Sequence, residues 1–130
     1  MQLTTQLALF LDNRPGMLAK VCEALSEANI SVLALTVSDT VDHSVIRMLV
    51  SDTRKALLLF EERGTLVVET EVLMMEVDTK PGTLAEISEK LAEAGINIEY
   101  CYCTMPLKAR KGLLVLRVSD VQKALQVLKG

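Results

Sequence analysis

From Leu3 to Leu11 the chain is apolar and partly alternating, which predicts a strand with one face buried. Pro15 and Gly16 follow. Beyond them Leu18, Val21, Cys22 and Leu25 recur at i, i+3, i+4 and i+7, the spacing of a helix with one buried face. Asp12 or Asn13 stands where a side chain caps such a helix, and Pro15 suits its first turn. Ile30 to Ser38 is β-branched and apolar and predicts a second strand. Thr40-Val41-Asp42-His43 reads as a hairpin turn leading to a third strand, Val45 to Val50. Asp52 is placed to cap a helix running to about Arg63, with Gly64 at its end, and Thr65 to Thr70 is a fourth strand.

The pattern then starts again. Asp12-Asn13-Arg14-Pro15-Gly16-Met17-Leu18-Ala19 returns 66 positions later as Asp78-Thr79-Lys80-Pro81-Gly82-Thr83-Leu84-Ala85. Val50-Ser51-Asp52 returns as Val118-Ser119-Asp120 at an offset of 68, so the second copy carries two extra residues between its halves. Loops absorb such insertions readily. The elements of the second copy are a strand at 71–77, a helix at 82–94, strands at 96–104 and 113–118, and a helix at 120–129. Two domains are therefore expected, 1–70 and 71–130. Each has the order β-α-β-β-α-β, the split βαβ pattern of ferredoxin-like α+β folds, with antiparallel sheets and helices on one face. The second copy has no room for its own last strand, and an uncovered edge favours pairing with another strand or another chain.

Composition narrows the function classes. The chain has 130 residues, is 50% hydrophobic, and carries 14 Lys+Arg against 17 Asp+Glu for a net charge of −3. Nucleic-acid binding needs clustered positive charge, so no nucleic-acid partner is expected. No apolar run approaches the roughly 18–20 residues that span a bilayer, so no membrane association is expected. Cys22, Cys101 and Cys103 are odd in number and show no CxxC spacing, which points away from a disulfide framework and toward a reducing, cytoplasmic setting.

The segment from Leu11-Asp12-Asn13-Arg14-Pro15-Gly16-Met17-Leu18 to Ala28-Asn29-Ile30-Ser31-Val32 resembles the ACT domain family. So does the segment from Val77-Asp78-Thr79-Lys80-Pro81-Gly82-Thr83-Leu84 to Ala94-Gly95-Ile96-Asn97-Ile98. The resemblance covers essentially the whole chain as two tandem copies with no catalytic domain attached. It implies a regulatory module that binds an amino acid or a similar small metabolite, usually at an interface between copies. In the family, the first loop and the glycine at the helix start meet the ligand, helped by the second strand of a neighbouring copy. The implied ligand-binding residues are 11–18 in the first copy (Leu11, Asp12, Asn13, Arg14, Pro15, Gly16, Met17, Leu18) with Ser31, and Val77, Asp78, Thr79, Lys80, Gly82, Thr83 and Leu84 with Asn97 in the second. Copy one holds the loop amide (Asn13) and copy two the strand amide (Asn97), so a combined site would restore both. Physically, a ligand carboxylate wants the free N–H groups of a helix N-terminus, and Gly16 or Gly82 lets it approach. Asp12 and Asp78 are candidates for its ammonium, and Leu11, Met17, Leu18, Val77, Thr83 and Leu84 for its side chain.

Other readings of these residues stand beside this one. Pro-Gly at each junction is also a plain turn device. Cys101 and Cys103, two apart on a strand, share a face and either are buried or hold a soft metal, in which case the chain is a metal-binding module. Tyr100 and Tyr102 fall on the opposite face. Cys22 is expected in the helix core, His43 in a turn, and Lys108, Arg110 and Lys111 in the longer hairpin of copy two. No Ser/His/Asp or Cys/His arrangement and no phosphate loop is present, so the chain reads as a non-enzyme without a cofactor. A homodimer is expected. Docking on a biosynthetic enzyme, in the manner of acetolactate synthase small subunits, is the main alternative.

Overall fold

The computed structural model describes residues 1–39 and 43–129. Its elements are β1 (Gln2–Asp12), α1 (Met17–Glu27), β2 (Val32–Asp39), β3 (His43–Val50), α2 (Thr53–Glu62), β4 (Leu66–Asp78), α3 (Thr83–Glu93), β5 (Ile98–Thr104), β6 (Lys111–Val118) and α4 (Val121–Lys129). They fall into two compact units. One is Thr5–Thr70; the other joins Met1–Thr4 to Glu71–Gly130.

In the first unit the strands lie in the order β2-β3-β1-β4. β1 runs antiparallel to β3 in a register from Leu7 opposite Met48 to Asp12 opposite His43. Alternation along these strands sends Leu7, Leu9, Ile46 and Met48 to the face where they meet Val21 and Leu25 of α1 and Ala56 and Phe60 of α2. Burying each of the larger side chains contributes about 1.5–3 kcal/mol. The buried face of α1 is Val21, Ala24 and Leu25, whereas Cys22 is exposed and Leu18 is 39% exposed, so neither belongs to the core as the spacing predicts. Successive helix positions lie about 100° apart, and the small apolar Ala24 and Ala28 carry the seam on the other side of Val21. His43 opens β3 rather than lying in a turn; Thr40, Val41 and Asp42 of that expected turn lie outside the described residues.

The second unit repeats the order, with β4 beside β6 and β6 beside β5. β4 is antiparallel to β6 from Leu73 opposite Leu116 to Asp78 opposite Lys111. Its core joins Leu73, Val77, Leu114 and Leu116 to Leu91 of α3 and Ala124 of α4. The last-strand position that the second copy leaves open, on the free side of β4, is taken by Met1–Thr4, and Leu3 packs against this core. The fourth strand of copy one and the first strand of copy two, expected as separate strands, form one strand of 13 residues. No Gly, Pro or Asn occurs from Leu66 to Asp78, so nothing in the sequence ends the strand at the boundary between copies.

Both copies use the same end devices. Asp52 and Asp120 cap α2 and α4, accepting from the Lys55 N–H at 3.1 Å and the Lys123 N–H at 3.0 Å. The serine before each clamps the preceding strand entry. Ser51 Oγ accepts from the Ser31 N–H and Ser119 Oγ from the Asn97 N–H, both at 2.9 Å, and each serine N–H donates back to the same residue's carbonyl.

Candidate functional site

The two Pro-Gly loops join β1 to α1 and β4 to α3. Gly16 (φ 87°) and Gly82 (φ 93°) are the N-cap residues, both in the left-handed region that favours glycine. An added Cβ at either would meet no atom within 4 Å, so open space lies beside both bends. No side chain caps α1 or α3, in contrast to the aspartate caps of α2 and α4. Asp12 and Asn13 therefore do not cap α1: the left-handed glycine occupies the position a capping side chain would need. Within α1 the Lys20 N–H is the first to reach back, to the Gly16 carbonyl, so the Met17, Leu18 and Ala19 amides open the helix. In α3 the Glu86 N–H reaches the Gly82 carbonyl, and the amides of Leu84 and Ala85 take the same place. Such a turn attracts a carboxylate through its N–H groups and dipole.

The loops differ in what holds them. Asn13 Oδ1 accepts from Ser44 Oγ at 3.3 Å, and the same hydroxyl lies 3.0 Å from Asp39 Oδ1. Thr79, its counterpart, donates its N–H to the Arg110 carbonyl and its hydroxyl to the Ala109 carbonyl at 2.6 Å. Asp78, the candidate for a ligand ammonium, already pairs with Lys111 Nζ at 2.7 Å. That hydrogen bond holds the Asp78 carboxyl below the usual carboxylate value and raises the Lys111 ammonium. Lys111 thus opens β6 instead of lying free in the hairpin.

Each loop stands over a groove between its helix pair and its sheet. In the first unit the groove, about 170 Å³, is lined by Leu11, Met17, Val21 and Phe60, with Lys20 and Arg63 at its polar side. In the second unit it is about 320 Å³ and far more polar, with Asp78, Lys80, Thr83, Glu86, Lys90 and Lys111 among its walls. Leu11, Met17 and Lys20 correspond to Val77, Thr83 and Glu86 at the 66-residue offset, so these are the same groove with different chemistry. The Thr83 hydroxyl is buried there without a hydrogen-bond partner, and the residue is 9% exposed.

A sequence profile described as the ACT domain pair matches residues 1–129. The chain belongs to the ACT domain pair family. Among solved structures it is similar to protein BT0572 from Bacteroides thetaiotaomicron, at 32% identity and a TM-score of 0.92 over 98% of this chain and 87% of that one. The ligand-free regulatory subunit of aspartate kinase from Thermus thermophilus shares the fold at 18% identity and a TM-score of 0.73, over 99% of this chain and 96% of that one. The corresponding subunit from Thermus flavus does so at 19% and 0.70, over 98% and 92%. No curated protein matches the sequence.

Within this ACT pair, Leu11 and Met17 line the first groove, and Val77, Asp78, Lys80 and Thr83 the second. Asp12, Asn13, Arg14, Pro15, Gly16 and Leu18 are exposed around the first loop, as are Gly82 and Leu84 around the second. Ser31 and Asn97 are exposed at the strand entries, their backbones engaged by Ser51 and Ser119. Cys101 and Cys103 are exposed rather than buried, because β5 is an edge strand whose outer half no helix covers. No cluster of three or more metal-ligating side chains occurs among the described residues. Among the described residues, no helix is long and apolar enough to cross a membrane. Phe60, Arg63, Glu86 and Lys90 also line the grooves, from helix flanks that lie outside the loop and strand motifs. The periodicity of α1 and α3 pointed at the groove positions, but nothing in one sequence separates a groove wall from an ordinary helix flank.

Proposed function

We propose that this ACT domain pair is a non-enzymatic regulatory protein that binds an amino acid or a similarly small metabolite at its Pro-Gly loops. The observation that carries the reading is the pair of uncapped helix starts at Gly16 and Gly82, each beside open space, in a chain whose other two helices are capped by aspartate. The ligand carboxylate takes the N–H groups of Leu18 and Ala19, or of Leu84 and Ala85. A negative charge at such a helix start gains about 0.3–1 kcal/mol from the dipole, besides the hydrogen bonds. Tightening the loop around the ligand then biases the unit it belongs to, a coupling of about 1–3 kcal/mol in ordinary switches.

The proposal extends to self-association. β2 in one unit and β5 in the other are each paired on one side only, and such edges invite a further strand. The Thermus regulatory subunits that share the fold are compatible with an effect exerted on a separate enzyme. A thermal-shift screen of the full chain against the twenty amino acids, purines and common cofactors tests the reading. A ligand at about 100 times its Kd adds about 2.7 kcal/mol, which raises the Tm by several degrees. If no compound in the panel raises it, the sensor reading fails.

A further inference from the structure

We propose that Cys101, Cys103 and Met105 form a binding site for a soft monovalent metal ion, the cuprous ion, on one face of the edge strand β5. The site is separate from the Pro-Gly loops and does not depend on what they bind. Three observations carry it. First, the three sulfur residues stand in one row. Residues directly opposite each other on paired strands share a face. Cys101 lies opposite Leu116 and Cys103 opposite Leu114, so both thiols are on the side of the sheet where those leucines enter the second unit's core. Met105 continues the alternation and packs against the same core. A Cβ added at Gly112, two residues before Leu114, would point to this face too and would stand 3.1 Å from the Met105 Sδ, which sets the thioether at the end of the row.

Second, the spacing suits a metal bridge and not a disulfide. Both cysteines are free and exposed. Two residues along a strand span roughly 6.5–7 Å, whereas a disulfide needs Cβ atoms about 3.5–4.5 Å apart. The pair therefore cannot close on itself without distorting β5. A metal ion between the sulfurs lengthens the bridge by two bonds of roughly 2.3 Å each, the length of a zinc–thiolate bond, and that spans the gap. The donor set then selects the ion. Among the described residues no His, Asp, Glu or further Cys joins the pair to make a group of three, so the four-ligand shell of structural zinc is not available. Thiolate and thioether are soft donors, which favour Cu(I). Binding forms two copper–thiolate bonds and releases the two thiol protons to water, with no electron transferred.

Third, the sister copy builds the same edge without sulfur. Leu35 lies opposite Met48 and Val37 opposite Ile46, the positions of Cys101 and Cys103 at the 66-residue offset, and Asp39 stands where the second copy has Met105. The fold therefore requires none of the three.

Titration of the reduced full chain with Cu(I) under anaerobic conditions, in competition with a cuprous-selective chelator, tests this. The wild type is expected to retain one copper per chain and to show ultraviolet sulfur-to-copper charge-transfer absorption. Cys101→Leu and Cys103→Val, which install the sister copy's residues, should each abolish both signals. Met105→Leu should lower the chelator concentration that strips the metal, and Cys22→Ser should change nothing. The metal-free variants should keep the wild-type circular dichroism, because both cysteines are exposed; serine at the same position replaces any variant that fails to fold. Loss of copper from the wild type to the chelator overturns the site, as does retention by a folded variant lacking both Cys101 and Cys103. Zinc(II) held as firmly as copper overturns the soft-metal assignment, and unchanged retention in Met105→Leu overturns the part of the thioether. One copper per two chains, with dimerisation on metal addition, overturns a site built within a single chain.

Discussion

Replacing Gly82 by alanine isolates the backbone component of the loop. Gly82 sits at φ 93°, ψ −13° and Gly16 at φ 87°, ψ −7°, where an L-residue costs about 1–2 kcal/mol. No atom lies within 4 Å of a Cβ built at either position, so no collision adds to that cost. Alanine also narrows the unfolded ensemble, which offsets about 0.4–1 kcal/mol. The net expectation is a loss of at most about 1.6 kcal/mol for Gly82→Ala, and the same for Gly16→Ala because the geometry is repeated. Gly112 gives the opposite arithmetic. Its φ lies outside the left-handed region, but a Cβ there would collide with the Thr104 carbonyl oxygen on the paired strand. That oxygen belongs to backbone, which can yield only by parting β5 from β6, so Gly112→Ala should cost about 3 kcal/mol or more. Urea denaturation followed by far-UV circular dichroism measures all three, provided the m-value stays constant. The reasoning is refuted if Gly82→Ala costs as much as Gly112→Ala, or if Gly16→Ala and Gly82→Ala differ by more than about 1 kcal/mol.

Other outcomes follow from the same contacts. Leu3→Ala should raise amide hydrogen exchange in β4 from Glu71 onward, in β6 and in α4 more than in β3, because Leu3 packs on the second unit's core; faster exchange confined to β3 would contradict that placement. Asp52→Ala and Asp120→Ala should each lower stability by about 0.5–2 kcal/mol in the same denaturation assay, as removal of a helix cap does. Asp78 has its pKa lowered by the Lys111 hydrogen bond, so its contribution is fully present above its ordinary value of 3.8 and is lost as pH falls through the lower folded value. The difference between wild type and Asp78→Asn in acid titration should therefore shrink below pH 3.8, and a difference that grows there would reverse the sign.

The duplication, the element order and the aspartate caps were legible because they rest on local signals: Pro-Gly at a strand end, helical spacing, and Asp three residues before an available N–H. The resemblance carried by Asp12 to Leu18 and Asp78 to Leu84 agrees with the family match over residues 1–129. What escaped depends on partners distant in sequence. Nothing in Met1-Gln2-Leu3-Thr4 announces that it completes the sheet of the second unit, 70 positions on, although the open last-strand position of copy two was readable. Spacing also put Cys22 in the core, because a cysteine and an alanine look alike to a periodicity argument and the seam ran through Ala24 instead. The burial expected for Cys101 and Cys103 failed for a related reason: alternation assigns a face but not whether a helix covers it. Thr83 was singled out as a loop residue lining an apolar pocket, yet its burial and orphaned hydroxyl depend on how α3 and β4 close around it.

The account stands or falls on whether the uncapped turns after Gly16 and Gly82 hold the ligand. Backbone amide chemical shifts, followed in the full chain during titration with the amino acid that raises the Tm most, test this directly. The largest movements are expected at Leu18 and Ala19 or at Leu84 and Ala85, with those of α2 and α4 nearly still. Movements centred on the edge strand around Cys101 and Cys103, with these four helix-start amides unmoved, would contradict the account.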